Sequence, residues 1–215
     1  MTTLDPISLA LLLALMALVP ILVVTTTSFM KISIVMTLVR NALGVQQIPP
    51  NIALYGLSLI LTAYIMAPIG NSIYEKTMES SKPMKSVAEF IDTVRTSAEP
   101  LRGFMVRNSK QEQRDMFLRT AQKMWGPELS ANLKGTDFLV VMPAFMVSEL
   151  TSAFQIGFLL FLPFIVIDLI ISNILLAMGM MMVSPVTISL PLKLFLFVAV
   201  DGWSRLIHGL ILTYA

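Results

Sequence analysis

Residues 175–185 read LLAMGMMMVSP. Four methionines, Met178, Met180, Met181 and Met182, fall within five positions; Gly179 interrupts them and Ser184-Pro185 closes the run. Successive residues on an α-helix are turned by about 100°, so three adjacent methionines cannot share one face. Two readings are open. Either the segment is an over-apolar helix buried on all sides that happens to use Met, or the chain leaves helical geometry here. Gly179 weakens a helix and Pro185 stops one, which favours the second. Methionine is long, unbranched and polarizable, and it re-packs when its neighbours move. A ring of such side chains from several subunits could close a hole softly and reopen it.

Outward from this run the chain is apolar. Its 215 residues suit one domain. Hydrophobic residues make up 56% and charged ones 13%, with mean hydropathy +0.80. Soluble domains carry roughly 25% charged residues, so this is a membrane or membrane-complex protein. The chain has no Cys, which excludes disulfides and thiolate metal sites, and the single His208 excludes a His-cluster metal site. No metal or cofactor is expected. The net charge of +2 is too small to suggest nucleic-acid binding. The charges are clustered: 11 of 15 Lys and Arg and 9 of 13 Asp and Glu lie between Asn71 and Asp137. The chain therefore divides into an N-terminal apolar block (1–70), a polar insert (71–137) and a C-terminal apolar block (138–215) that carries the methionine run.

In the first block, Ile7 to Val24 lacks a basic region before it, so a cleavable signal peptide is not expected. Pro20 should kink or end its helix. Phe29 to Leu43 resumes an apolar pattern with Lys31 and Arg40, GVQQIPPN (44–51) is a turn-rich link, and Ile52 to Ile69 spans about 27 Å if helical. In the insert, Ser86/Glu89 and Ser109/Glu112 have capping-box spacing. The first precedes Val87, Phe90, Ile91 and Val94; the second precedes Phe117, Ala121 and Met124, with Gly126-Pro127 as the stop. Amphipathic helices outside the membrane are expected, with a solvated charged face. In the second block Ala153 to Val183 has one formal charge, Asp168. As a straight helix it would run about 46 Å against a bilayer core of about 30 Å. Pro163 and Ser172-Asn173 therefore suggest a bent helix or hairpin, which membranes tolerate where it is buried in protein or lines a water-filled cavity.

Asp168 and Lys193 are isolated charges in long apolar stretches, and a lone buried charge is costly unless paired. A hairpin turning near Pro185 places them on neighbouring helices of one chain or facing across a subunit boundary. The alternative is that Asp168 carries an ion or proton, as in a secondary transporter or ion-channel subunit. A transporter usually shows internal repeats. No repeat relates 7–69 to 138–215. Lys31 and Arg40 have no acid in their own segment, Glu149 caps or pairs, and His208 reads as a surface or interface residue. Phosphate-loop, HExxH and GxSxG motifs are absent, so no catalytic residue is assigned and the chain is not expected to be an enzyme.

Three stretches are familiar together: TSFMKISIVMTLVRNALGVQQIPPN (27–51), LPFIVIDLIISNILLAMGMMM (162–182) and PVTISLPLKLFLFVAVDGW (185–203). With them the chain resembles the FliP/SctR family, the R component of the type III secretion export apparatus, over nearly its whole length. The resemblance implies an all-α, membrane-associated fold of proline-broken helical hairpins. It implies assembly into a helical, ring-like oligomer, a pentamer joined by the S and T components, with a small polar helical insert. It implies a protein-conducting gate in the bacterial inner membrane, multi-pass by sequence but lifted largely to periplasmic level, that passes unfolded secreted proteins. The family's methionine gasket falls on Met180, Met181 and Met182 with Met178 adjacent, and its acid–lysine contact between subunits falls on Asp168 and Lys193. Flagellar members usually carry a signal peptide and a proline where Ser184 stands, so the injectisome branch fits better. The positive-inside rule would keep the insert cytoplasmic. Its basic excess is small and its 67 residues strain that rule, so the family's periplasmic placement is preferred.

Overall fold

A computed structural model describes residues 6–45, 47–79, 93 and 95–215. Eight helices are described: α1 (Pro6–Thr26), α2 (Phe29–Ala42), α3 (Asn51–Glu79), α4 (Glu99–Asn108), α5 (Gln111–Ser130), α6 (Phe138–Ala177), α7 (Pro185–Ala199) and α8 (Gly202–Leu212). No strand occurs among the described residues, so the all-α expectation holds.

The prolines do not break the helices as local rules predict. Pro20 lies inside α1, Pro68 inside α3 and Pro191 inside α7. Pro143 and Pro163 lie within the unbroken 40 residues of α6, which also runs through Ser172-Asn173 to Ala177. The hairpin expected near Pro163 is therefore absent; the chain reverses only after Ala177. A proline removes one ladder bond. In an apolar setting every further turn kept helical satisfies its own polar groups, so ending the helix would leave more groups unpaired than one proline does. The 29 residues of α3 likewise run past the apolar segment that ends at Ile69. Composition changes at Asn71, but nothing at Gly70-Asn71 stops a helix already propagating.

Two compact units emerge: residues 1–30 with 66–148, and residues 31–65 with 149–215. In the first, Phe104 and Met105 of α4, Ala121 of α5 and Val140, Val141, Ala144 and Phe145 of α6 are buried. The Phe104 and Phe145 rings lie 5.8 Å apart in a tilted pair. The Ser109/Glu112 capping box does not form. Lys110 is the N-cap of α5 and makes no side-chain cap bond. Ser109 ends α4 instead: its hydroxyl donates to Val106 O (3.2 Å) and accepts from Arg114 Nη1 (2.8 Å). With α4 and α5 only two residues apart, that hydroxyl serves the helix behind it. Gly126, at φ 76°, kinks α5, and Pro127 follows it into one further turn. The Ser86/Glu89 box with Val87, Phe90, Ile91 and Val94 lies outside the described residues. Glu99 and Arg102 pair on α4. The guanidinium hydrogen bond holds the Glu99 carboxyl below its ordinary range.

The second unit has a core of its own. Ile32, Val35, Met36, Val39 and Ala42 of α2 pack with Leu54 and Leu61 of α3, Ala153 and Phe164 of α6, and Leu206 and Leu210 of α8. α6 approaches α2 at Gly157, where a Cβ would stand 2.3 Å from Leu38 Cδ1. Gly157→Ala should therefore destabilise this unit by about 1–3 kcal/mol through overpacking. Leu38→Ala should partly rescue it, read as thermal unfolding in mild detergent. If Gly157→Ala alone unfolds like the parent, the close approach is not used.

Among the described residues, two helices are long and apolar enough to cross a membrane, Asn51–Met78 within α3 and the whole of α6. The number rises to four if Met16–Thr26 with α2, and α7 with α8 across their 62° bend, each count as one span. At 40 residues α6 is about 60 Å long, twice a bilayer core. Phe154, Phe158, Leu159, Leu162, Val166, Leu169 and Ile170 stand exposed along it. So large an apolar surface needs lipid or protein to cover it.

Candidate functional site

The methionine run is a turn between α6 and α7, not a helix. Gly179 takes φ 73°. Its N–H donates to Leu176 O (3.0 Å), and the Met180 N–H reaches back to Leu175 O (2.9 Å). This pair of bonds is a Schellman motif, and a glycine at its centre avoids the Cβ strain of a left-handed backbone. Val183 N–H then donates to Met180 O (3.3 Å), which puts Met181 and Met182 at the two central positions of a tight turn. Ser184 is the N-cap and Pro185 begins α7, where its missing N–H is no loss. Met181 is 81% exposed and Met182 fully so; Met178 and Met180 are exposed to 65% and 40%. The reading as a helix buried on all sides does not fit this chain: four thioether side chains are presented outward at the end of a helical hairpin.

The same hairpin brings Asp168 of α6 to Lys193 of α7. Lys193 Nζ lies 2.6 Å from Asp168 Oδ2, and Ser189 Oγ donates to Asp168 Oδ1 at 2.6 Å. Lys193 is buried and also approaches Ala42 O of α2 at 3.5 Å. The Asp168 side chain is 39% exposed. Within one chain the two charges are thus already joined, with both carboxylate oxygens engaged.

A second ion pair was not legible as a pair. Lys31 Nζ of α2 lies 3.0 Å from Glu149 Oε1 of α6, with side chains 5% and 1% exposed. The Tyr214 hydroxyl donates to Glu149 Oε2. The Lys31 ammonium also sits 3.8 Å from the centre of the Tyr214 ring. Two full charges and a phenol share one buried cluster, in which cation–π attraction, ion pairing and a charge-assisted hydrogen bond converge. The one available signal was the isolation of both charges in apolar sequence, the same signal that flagged Asp168 and Lys193. Arg40 finds Pro49 O (3.2 Å) and Asn51 Oδ1 (2.6 Å), which clamps the link between α2 and α3. His208 is exposed.

Residues 12–210 match the FliP family. The chain belongs to it. Yop proteins translocation protein R of Yersinia pestis is 49% identical over 213 residues, 98% of this chain and 97% of that protein. Harpin secretion protein HrcR of Erwinia amylovora is 44% identical over 210 residues, 98% and 97% of the two chains. Virulence protein YscR of Salmonella typhimurium is 41% identical over 214 residues, 98% of each. The match to the FliP family takes in the methionine turn and both ion pairs except Tyr214.

Asp168→Ala should leave Lys193 buried with only the distant Ala42 carbonyl. Loss of one partner of a buried pair typically costs ~3–5 kcal/mol, and the open side of Asp168 places this case toward the lower figure. Complex yield on a native gel reads it. Exchanging the two charges should restore yield in part. If Asp168→Ala and Lys193→Ala both assemble and secrete normally, the pair has no structural weight.

Proposed function

We propose that this chain is the R component of a type III secretion export apparatus of the injectisome branch. In that role it is a core subunit of the gate through which unfolded proteins leave across the bacterial inner membrane. The FliP-family match over most of the chain and the translocation and secretion names of near-full-length relatives support the reading. The observation that carries the gate itself is the methionine turn. An apolar, flexible, outward-facing tip has no purpose in a self-contained fold. In a ring of copies, with S and T components beside it, the tips of Met178 and Met180–Met182 converge into a gasket. The ring is a pentamer, its exposed apolar helix faces cover one another, and the 71–137 insert stands on the periplasmic side. The exposed edge of Asp168 lies at the contact between subunits, so the Asp168–Lys193 clasp can join neighbouring copies as well as α6 and α7.

Native mass spectrometry of the chain co-expressed with its S and T partners in mild detergent tests the assembly. A complex with several copies of this chain is expected; a sharp monomer peak that persists with the partners present would sink it. Ion coupling at Asp168 makes a different prediction: Asp168→Asn would assemble normally and stop secretion.

A further inference from the structure

We propose that the methionine turn is a site of reversible modification: a peroxide oxidises its thioethers to sulfoxides, which wets the seal and opens it to ions, and reduction restores it. The inference rests on the gate reading above and adds a chemical control to it. The chain has 16 methionines and no cysteine, so no thiol of its own competes for an oxidant. Which thioethers react is then set by exposure. Met182 and Met181 are the most exposed methionines among the described residues, with Met124 of α5 next at 74%, while Met36 and Met105 are wholly buried. Met178 and Met180 belong to the same turn and are also exposed. In the ring these tips border the lumen. A small neutral oxidant there reaches their edges without crossing lipid or the covered helix faces, and each passing polypeptide parts them.

The step balances with the peroxide as its one co-reactant. A sulfur lone pair attacks one oxygen of hydrogen peroxide. An S–O bond forms and the O–O bond breaks. The leaving hydroxide takes the proton of the transferred oxygen and departs as water. Sulfur loses two electrons and the peroxide gains them. The reverse step takes two thiols, supplied by a sulfoxide reductase, which become a disulfide as the oxygen leaves as water. The product changes the physics of the tip. A thioether is nearly apolar, whereas a sulfoxide is a strong dipole and a hydrogen-bond acceptor. An apolar constriction excludes ions because it dewets. An acceptor without a partner in that dry space is costly, so water enters to satisfy it. The turn itself survives, because Gly179 N–H, Met180 N–H and Val183 N–H hold it through main-chain bonds that use no sulfur. Oxidation therefore alters the seal and leaves the hairpin that presents it.

The test uses the assembled complex, this chain with its S and T partners, treated with hydrogen peroxide. Sulfoxide at each methionine is read by peptide mass spectrometry, and conductance in a planar bilayer. Sulfoxide should form at Met181 and Met182 at least about tenfold faster than at Met36 and Met105, which react only when the core opens locally. Conductance should rise toward that of the untreated Met180→Ala/Met181→Ala/Met182→Ala variant, with the complex intact on a native gel. Methionine sulfoxide reductases with a dithiol should bring it back down. Met180→Leu/Met181→Leu/Met182→Leu keeps apolar bulk and removes the sulfur, so peroxide should not raise that variant's conductance above its own starting value. Met124→Leu should respond to peroxide as the parent does, because Met124 lies in α5, outside the turn. The proposal is overturned if the turn stays reduced, or if it is oxidised without a rise in conductance. It is also overturned if the leucine variant responds like the parent, or if peroxide dissociates the complex. Failure of the gate reading shows separately, as an untreated alanine variant that does not leak, and this proposal falls with it.

Discussion

Replacing Met180, Met181 and Met182 together with alanine is expected to leave the assembled complex intact and to raise its leak to small ions. The argument rests on where the side chains stand. Met181 and Met182 occupy the corner of the turn and are exposed, so truncating them removes almost no contact within the chain. The backbone of the turn depends on Gly179, Pro185 and three main-chain hydrogen bonds, none of which the substitutions touch. Were these methionines core residues, each truncation would leave a cavity costing about 2–5 kcal/mol, and three together would destroy the complex. In the proposed ring, by contrast, they would meet around an axis. Their thioether chains fill irregular gaps without a fixed register and part for a passing polypeptide. An apolar constriction also excludes ions by dewetting. Alanine is too short to close the same hole. Two measurements on one variant decide: complex yield on a native gel, and conductance of the complex in a planar bilayer. Lost complex favours the core reading; intact complex with unchanged conductance removes the methionines as the main seal.

Lys31→Met or Glu149→Leu alone is expected to destabilise the unit of residues 31–65 and 149–215 by about 3–5 kcal/mol, enough to deplete the assembled protein. Each substitution strands the other charge among apolar side chains. Glu149 is 1% exposed and Lys31 5%, so water cannot take over the lost interaction. Lys31→Met also removes the cation from the Tyr214 ring, while Glu149→Leu leaves the Tyr214 hydroxyl without the carboxylate that now accepts its bond. The double variant Lys31→Met/Glu149→Leu should recover much of the loss, because a well-packed apolar pair can match a buried ion pair. Tyr214→Phe keeps the ring under Lys31 and should cost about 1–3 kcal/mol. Thermal unfolding in detergent across these four variants gives the coupling directly. Additive losses, with the double variant as weak as the sum of the singles, would mean the two charges do not act as a pair.

Much of the architecture was legible because it rests on local chemistry. Glycine at 179 and proline at 185 set a helix stop and a helix start, and the turn between them follows whatever the rest of the chain does. The Asp168–Lys193 pairing was legible for a cruder reason: two lone charges in apolar stretches on either side of one turn need each other. The same isolation held for Lys31 and Glu149. They lie 118 positions apart, however, with the polar insert between them, and nothing local says that α2 meets α6 there. The prolines misled. A proline weighs heavily where the ladder competes with water, and less in apolar helices, where the ladder has no such competitor. Ser109 misled for a related reason, since one hydroxyl between two abutting helices can serve either.

By itself, then, the sequence determined which segments are apolar, that the chain is helical, and where it turns at Gly179 and Pro185. These follow from composition and from backbone preferences that act within a few residues. Tertiary structure alone decided which helices meet, and so which buried cation faces which carboxylate. It also decided that Tyr214 completes the Lys31–Glu149 cluster. Charge pairing in an apolar interior is obligatory, but the choice of partner depends on the packing of α2, α6, α7 and α8. That packing is set by long-range contacts such as the Gly157–Leu38 approach, which no local pattern contains.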